Sequence, residues 1–149
     1  MGNKFNFTPL PGWMVMNDWQ NLMPNAGQLT GSGPPDDSVL LVKTGSSAMI
    51  MLSPLTLPPY VLVAQAAKTA YKSLGRSGNV QSPLDVASDD SHGGFSFVSP
   101  DGMNAGQFDI RRLPDEPDQV VICFGIWSAE DQDENSVEFE LTAESLTAH

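Results

Sequence analysis

The sequence of 149 residues has one cysteine, Cys123, and two histidines. A single cysteine cannot form a disulfide within the chain, and its place in the apolar run VVICFGIW predicts a buried, unreactive side chain. The sequence contains neither H-E-x-x-H nor paired C-x-x-C, which argues against a zinc site built from protein side chains. It also lacks G-x-G-x-x-G and the glycine-lysine-serine phosphate loop, so nothing predicts nucleotide chemistry. We expect no metal and no other cofactor.

Long apolar runs are missing as well. No stretch approaches the roughly 20 apolar residues that cross a bilayer. The first residues, MGNKFNFTPLPGW, have neither the apolar run nor the small-residue cleavage pattern of a signal peptide. The expectation is therefore a cytoplasmic protein, or a periplasmic one if a leader has been removed.

Basic residues are scarce: 7 Lys and Arg stand against 18 Asp and Glu, a formal net charge of −11. The imbalance lies at one end, because residues 113–149 hold 10 acidic residues and no Lys or Arg. Such a surface repels phosphate backbones and anionic lipids, so we expect neither a nucleic-acid nor a membrane partner. It attracts instead a protein partner of basic character. Whether copies of the chain associate with one another is left open.

The residues that are plentiful predict one domain, 1–149, made of short elements. Hydrophobic residues make up 40%, and 12 Pro and 13 Gly interrupt the apolar segments. TGSS between two apolar runs predicts a hairpin with Gly45 at positive φ. The continuous run Val120 to Trp127 is expected of a central strand buried on both faces. Strands are predicted at Lys4 to Thr8, Trp13 to Met16, Ser38 to Lys43, Ala48 to Leu52, Gly94 to Ser99, Gln107 to Leu113 and Val120 to Trp127.

Helical periodicity is clearest from Tyr60 to Leu74, with Pro58 and Pro59 before it and Gly75 at its predicted end. The segment 136–147 is open to two interpretations, an edge strand by alternation or a helix by composition, and the helix is favoured. The composition of residues 17–37 predicts a long loop. The predicted fold class is α+β: a curved antiparallel β-sheet packed against one long helix (residues 60–74), with a second C-terminal helix.

Two segments are candidates for partner binding. The tract AEDQDEN has Asp131, Asp133 and Asn135 at the spacing that opens an EF-hand, but Ser136 and Thr142 replace the required Gly and Glu, so we expect a solvated loop and no calcium site. Clustered carboxylates there would steer a basic partner. Residues 19–23 offer an apolar anchor at the start of the long loop. The predicted partner-binding residues are Glu130, Asp131, Asp133, Glu134, Glu138, Trp19, Leu22 and Met23.

His92 is the one internal histidine, in the sequence SDDSHGG. A catalytic base and its orienting carboxylate normally arrive from separate segments, so the neighbouring Asp89 and Asp90 do not make a triad with it. We therefore predict a turn over residues 89–94 and no catalytic residues.

The order of elements resembles that of the PsbP-like fold family, which includes bacterial DcrB-type proteins and chaperones for type VI secretion effectors. The resemblance lies in FTPLPGW (Phe7 to Trp13), SVLLVK (Ser38 to Lys43), the helix Tyr60 to Leu74, and VVICFGIWSAED running into FELTAESL. It implies a non-enzymatic binding module that uses the face of an antiparallel sheet, and it carries over no catalytic residues. The long segment 17–37 departs from the family pattern.

These observations predict a small non-enzymatic protein-binding module of bacterial or phage origin. It would be an immunity or inhibitor protein that holds a basic partner with carboxylates, or an effector chaperone that uses apolar sheet residues. Two alternatives stay open: a structural subunit of a virion or secretion assembly, and a hydrolase that combines His92 with acids from distant segments.

Overall fold

The computed structural model describes residues 5–8, 10–16, 39–57, 60–114 and 116–148. Within these residues the chain forms ten strands, two α-helices and one short 3-10 helix. In chain order they are β1 (Phe5–Asn6), β2 (Trp13–Met16), β3 (Val39–Lys43), β4 (Met49–Thr56), α1 (Val63–Arg76), β5 (Val80–Gln81), β6 (Asp85–Val86), β7 (His92–Val98), β8 (Asn104–Leu113), β9 (Glu116–Ser128), the 3-10 helix Ala129–Asp131, α2 (Gln132–Glu144) and β10 (Thr147–Ala148).

Eight of the described strands form one open antiparallel sheet in the order β2-β3-β4-β9-β8-β7-β5, with β6 also paired to β7. β9 lies in the middle of the sheet, hydrogen-bonded to β4 on one side and to β8 on the other. Its residues alternate between two buried clusters, so the continuous apolar run is buried on both faces as predicted. β1 pairs separately with β10.

The sheet buries a hydrophobic core on each face. One face packs under α1 around an aromatic cluster in which the rings of Phe95 and Phe108 stack at 5.4 Å. The other packs under α2, where the ring of Phe139 meets Trp127 edge-on at 6.0 Å. The predicted α+β class, with a long helix on an antiparallel sheet and a second C-terminal helix, is confirmed.

The hairpin between β3 and β4 is also confirmed. Val39 pairs with Leu52 and Val42 with Met49, and Gly45 takes a φ of 76° in the turn. A left-handed conformation of this kind suits glycine because it has no Cβ.

The first helix begins and ends later than predicted. It covers Val63–Arg76 rather than Tyr60 to Leu74. The Asp90 carboxylate, distant in sequence, accepts a hydrogen bond from the Val63 backbone N–H at 3.1 Å and so marks the first turn. Gly75 lies inside the last turn, because a single glycine costs a helix only about 1 kcal/mol.

The acidic tract is helical, which corrects the prediction of a solvated loop. Ala129–Asp131 form the 3-10 helix and α2 follows directly. Carboxylates in the first turn of a helix interact favourably with its N-terminal dipole. Lys43 also lies within ion-pair distance of Glu134 and Glu138, so repulsion between the acidic residues is offset.

Gly125 on β9 allows α2 to approach the sheet. A Cβ there would lie 2.5 Å from Trp127 Cζ3 and 2.8 Å from Phe139 Cδ2. We expect Gly125→Ala to lower the free energy of unfolding by about 1–3 kcal/mol through overpacking, measured by urea denaturation. Gly75→Ala is the control, because its Cβ would meet only the flexible end of Gln81. Equal stability of the two variants would contradict the tight packing of α2.

Candidate functional site

α2 presents four sides to its surroundings: a buried face, an outward face and two flanks. Its buried face comprises Asn135, Phe139, Thr142 and Ala143, which pack on the sheet. At 100° per residue, the positions 133, 137, 141 and 144 fall on the opposite side. The remaining two sides flank the buried face, one toward β3 and one toward β7 and β8. The chemistry of the helix therefore depends on which face each carboxylate occupies.

The outward face is here named the acidic-apolar stripe: Asp133, Val137, Leu141 and Glu144. All four are exposed, and the two apolar side chains retain 58% (Val137) and 49% (Leu141) of their accessible surface. The exposed carboxylates of Glu134 and Glu140 border the stripe. The stripe therefore combines an apolar pair with negative charge at its margins.

On the flank toward β3, Lys43 contacts three polar side chains of α2. Its Nζ lies 2.6 Å from Glu138 Oε1, 3.1 Å from Asn135 Oδ1 and 3.3 Å from Glu134 Oε1. The Trp13 indole N–H donates to the other oxygen of Glu138 at 3.3 Å. The hydrogen bond with Glu138 is the main cause that raises the pKa of Lys43 above its ordinary value. We call this group the Lys43 cluster.

The structure thus separates the predicted acidic residues. Glu130, Asp131, Asp133 and Glu134 are exposed, whereas Glu138 belongs to the Lys43 cluster with only 19% of its side chain accessible. Their role in partner binding stays a prediction. Trp19, Leu22 and Met23, with the whole predicted loop 17–37, lie outside the described residues.

The EF-hand-like spacing does not produce a converging set of oxygens. Residues two apart on a helix do not face one another, and Asn135 is buried against Lys43 while Asp131 and Asp133 are exposed. Nowhere in the described ranges do three His, Cys, Asp or Glu side chains come together as a metal-binding group.

On the flank toward β7 and β8, α2 borders a cavity of about 280 Å³. Its lining includes His92, Asp109, Arg111 and Glu140, and we call it the polar cavity. Asp109 and Arg111 are joined by an ion pair at 2.8 Å. Of the cavity residues, the sequence had singled out only His92; the alternation of β8 indicated which residues share a face but not that α2 would partly cover them.

His92 begins β7, so the turn predicted over 89–94 is shorter and its last three residues are in a strand. Its imidazole makes no hydrogen bond to any residue that the structure describes. The hydrogen bond between base and orienting carboxylate that the hydrolase alternative needs is therefore missing within those residues. Cys123 is fully buried as predicted, and burial raises its pKa well above the ordinary value for a thiol.

The sequence matches no family profile and no curated protein. Its fold is that of an open antiparallel sheet with a helix on each face, and solved structures share it. The Ran-binding protein Mog1 of Saccharomyces cerevisiae is similar over 97% of this chain and 90% of its own, with a TM-score of 0.58 and 11% identity. The cyanobacterial PsbP of Synechocystis is similar over 98% and 87%, with a TM-score of 0.60 and 12% identity.

At this level of identity the likeness establishes the fold alone. The PsbP-like fold expected from the sequence is confirmed, while the narrower resemblance to DcrB-type proteins and secretion chaperones stays a prediction. No helix of the described ranges is long and apolar enough to span a lipid bilayer.

Proposed function

We propose that the protein is a non-enzymatic binding module that holds a basic protein partner on the acidic-apolar stripe of α2. The exposure of Val137 and Leu141, one helical turn apart, is the observation that carries the proposal. Exposed apolar side chains at the centre of a charged rim are what a docking surface provides: the apolar centre supplies affinity and the rim steers the partner. The partner is basic because residues 113–149 contain no Lys or Arg.

Within this class we favour an immunity or inhibitor protein over an effector chaperone. Carboxylates that remain free of internal pairing can approach and occlude a basic site, and Glu130, Asp131 and Asp133 meet this condition because no cation lies within ion-pair distance of them in the described ranges. A chaperone would bind through the apolar sheet instead. The PsbP-like fold is compatible with protein recognition, since the similar structure of Mog1 is described as that of a Ran-binding protein.

Removing the apolar pair is expected to weaken partner binding. After the partner has been captured from the native source and identified, Val137→Ser with Leu141→Ser should bind it at least roughly tenfold more weakly by calorimetry, equivalent to about 1.4 kcal/mol. Val80→Ser is the control because Val80 is 69% exposed on β5, away from α2. Equal affinity of the stripe variant and the control would contradict the proposal.

Neutralising carboxylates of the acidic-apolar stripe tests whether the protein is an immunity or inhibitor protein or an effector chaperone. Asp133→Asn with Glu144→Gln should slow association at low ionic strength, and raising the salt should slow the wild type toward the same rate. Glu116→Gln with Asp118→Asn removes the same charge from exposed positions at the start of β9 and should leave the rate unchanged. An association rate that is insensitive to salt favours the chaperone. A protein that sediments only as large homo-oligomers favours the structural subunit.

A further inference from the structure

The strands β7 and β8 form the floor of the polar cavity. On the face toward α2, His92 pairs with Arg111, Gly94 with Asp109, and Ser96 with Gln107. Gly94 leaves the floor open above Asp109, because a Cβ there would lie 3.1 Å from Asp109 Oδ1 and would collide with the Phe108 carbonyl oxygen. The cavity therefore reaches a carboxylate that is itself only one-tenth exposed.

At one end of the cavity, hydrogen-bond donors are unused. Arg111 donates its Nε–H to Asp109 Oδ2, and its two terminal nitrogens have no partner in the part of the chain that the structure describes. The neighbouring His92 imidazole also makes no hydrogen bond there, although it interacts electrostatically with Asp109 and Asp89. Burial raises the pKa of Asp109, so an ionised carboxylate at this position costs stability. The ion pair with Asp109 holds the guanidinium group of Arg111 beside the floor of the cavity.

At the other end, Glu140 contributes a carboxylate. Ser136 donates to Gln107 Oε1 at 3.0 Å, and Gln107 in turn donates to Glu140 Oε1 at 3.4 Å. Glu140 and Asp85 both line the cavity, and neither forms an ion pair with a cation in the described ranges. The cavity thus presents the two unused terminal nitrogens of Arg111 together with the unpaired carboxylates of Glu140 and Asp85.

We propose that the polar cavity binds a small zwitterion, a molecule with one carboxylate and one ammonium group. The guanidinium fork of Arg111 matches a carboxylate, and His92 lies beside it. The unpaired carboxylate of Glu140 receives the ammonium group. A zwitterion can pair with Arg111 and with an unpaired carboxylate at once, whereas a simple anion or a simple cation can use only one of these groups. The volume, near the lower limit of roughly 300 Å³ for small-molecule sites, suits a molecule the size of a free amino acid.

The proposal is tested by calorimetric titration of the full chain with a series of zwitterions of increasing length. The probes are glycine, beta-alanine, γ-aminobutyrate, ε-aminocaproate and the free α-amino acids, with acetate and methylammonium as single-charge controls. We expect saturable binding of at least one zwitterion and at least tenfold weaker binding of both controls. Absence of saturable binding across the zwitterions, or equal binding of acetate, would overturn the proposal.

Variants assign the binding to the cavity. Arg111→Gln is expected to abolish it, and Glu140→Gln, at an exposed position that leaves the fold intact, should weaken it at least tenfold. Asp133→Asn, on the outward face of the same helix, should bind as the wild type does. Unchanged binding by Glu140→Gln would also overturn the proposal. Val137→Ser should leave zwitterion binding intact, so the result is independent of the proposed protein interface.

Discussion

Replacing Lys43 with methionine is expected to lower the free energy of unfolding by about 2–3 kcal/mol, between the values for exposed and fully buried ion pairs. The side chains of Lys43 and Glu138 are only 17% and 19% exposed. Methionine keeps the apolar stem but removes the ammonium group. Glu138 would then retain only the Trp13 indole N–H, and Glu134 would add repulsion between carboxylates. Because three side chains of α2 meet Lys43, the loss also weakens the attachment of α2 to β3.

Urea denaturation of Lys43→Met measures this effect, and Lys68→Met, at an exposed position on α1, is the control. The folded-state pKa of Lys43 is raised above 10.5, chiefly by its hydrogen bond with Glu138. The contribution should therefore be complete below pH 10.5 and decline as the pH rises through the folded-state pKa. Glu138→Gln in the Lys43→Met background should restore part of the stability. If Lys43→Met lowers the free energy of unfolding no more than Lys68→Met does, the Lys43 cluster does not stabilise the fold.

The Lys43 cluster also explains why the functional surface could be predicted only in outline. The composition of residues 113–149 predicts an acidic surface, and the exposed Glu130, Asp131 and Asp133 belong to it. Nothing local in the sequence marks Glu138 as different from them. Its partner Lys43 lies on β3, so the distinction depends on a contact between residues 95 positions apart in the sequence.

The helix α2 was ambiguous for a related reason. Its buried positions include the polar Asn135 and Thr142, and its exposed positions include Val137 and Leu141. Apolar residues consequently alternate at 137, 139 and 141, as they do in an edge strand. The same irregular pattern leaves Val137 and Leu141 exposed to solvent. The pattern that made the secondary structure ambiguous therefore also supports the proposed docking surface.

Strand patterns were more informative, because each needs only local alternation and a turn. They predicted the β3–β4 hairpin, the buried β9 and the strand Gln107 to Leu113, whose alternation places Phe108 and Ile110 on one face of β8. The opposite face carries Gln107, Asp109 and Arg111, and the sequence does not reveal that α2 overhangs it. The polar cavity therefore depends on tertiary packing that no single segment encodes.

Replacing Asp90 with asparagine is expected to be as destabilising as the loss of Lys43, about 2–3 kcal/mol. The Asp90 carboxylate joins its own turn to α1 and to β8: its Oδ2 accepts hydrogen bonds from the Val63 N–H at 3.1 Å and from Arg112 Nη2 at 2.9 Å. Arg112 also donates to the Val61 carbonyl oxygen at 2.7 Å. Asp90 has a φ of 62°, a left-handed conformation that asparagine tolerates. The substitution therefore removes the charge without adding backbone strain.

The pH dependence distinguishes this charge from a general loss of packing. Burial alone would raise the pKa of Asp90, but the hydrogen bonds from Val63 and Arg112 outweigh it and hold the pKa below 3.8. A lowered folded-state pKa stabilises the protein above pH 3.8, and this stability is lost as the pH falls through the folded-state value. Thermal unfolding should show Asp90→Asn melting roughly 4–12 °C below the wild type at neutral pH, with the gap closing in acid. Asp118→Asn, at an exposed position, should melt as the wild type does. A gap that persists unchanged in acid would mean that the Asp90 charge does not anchor α1 to the sheet.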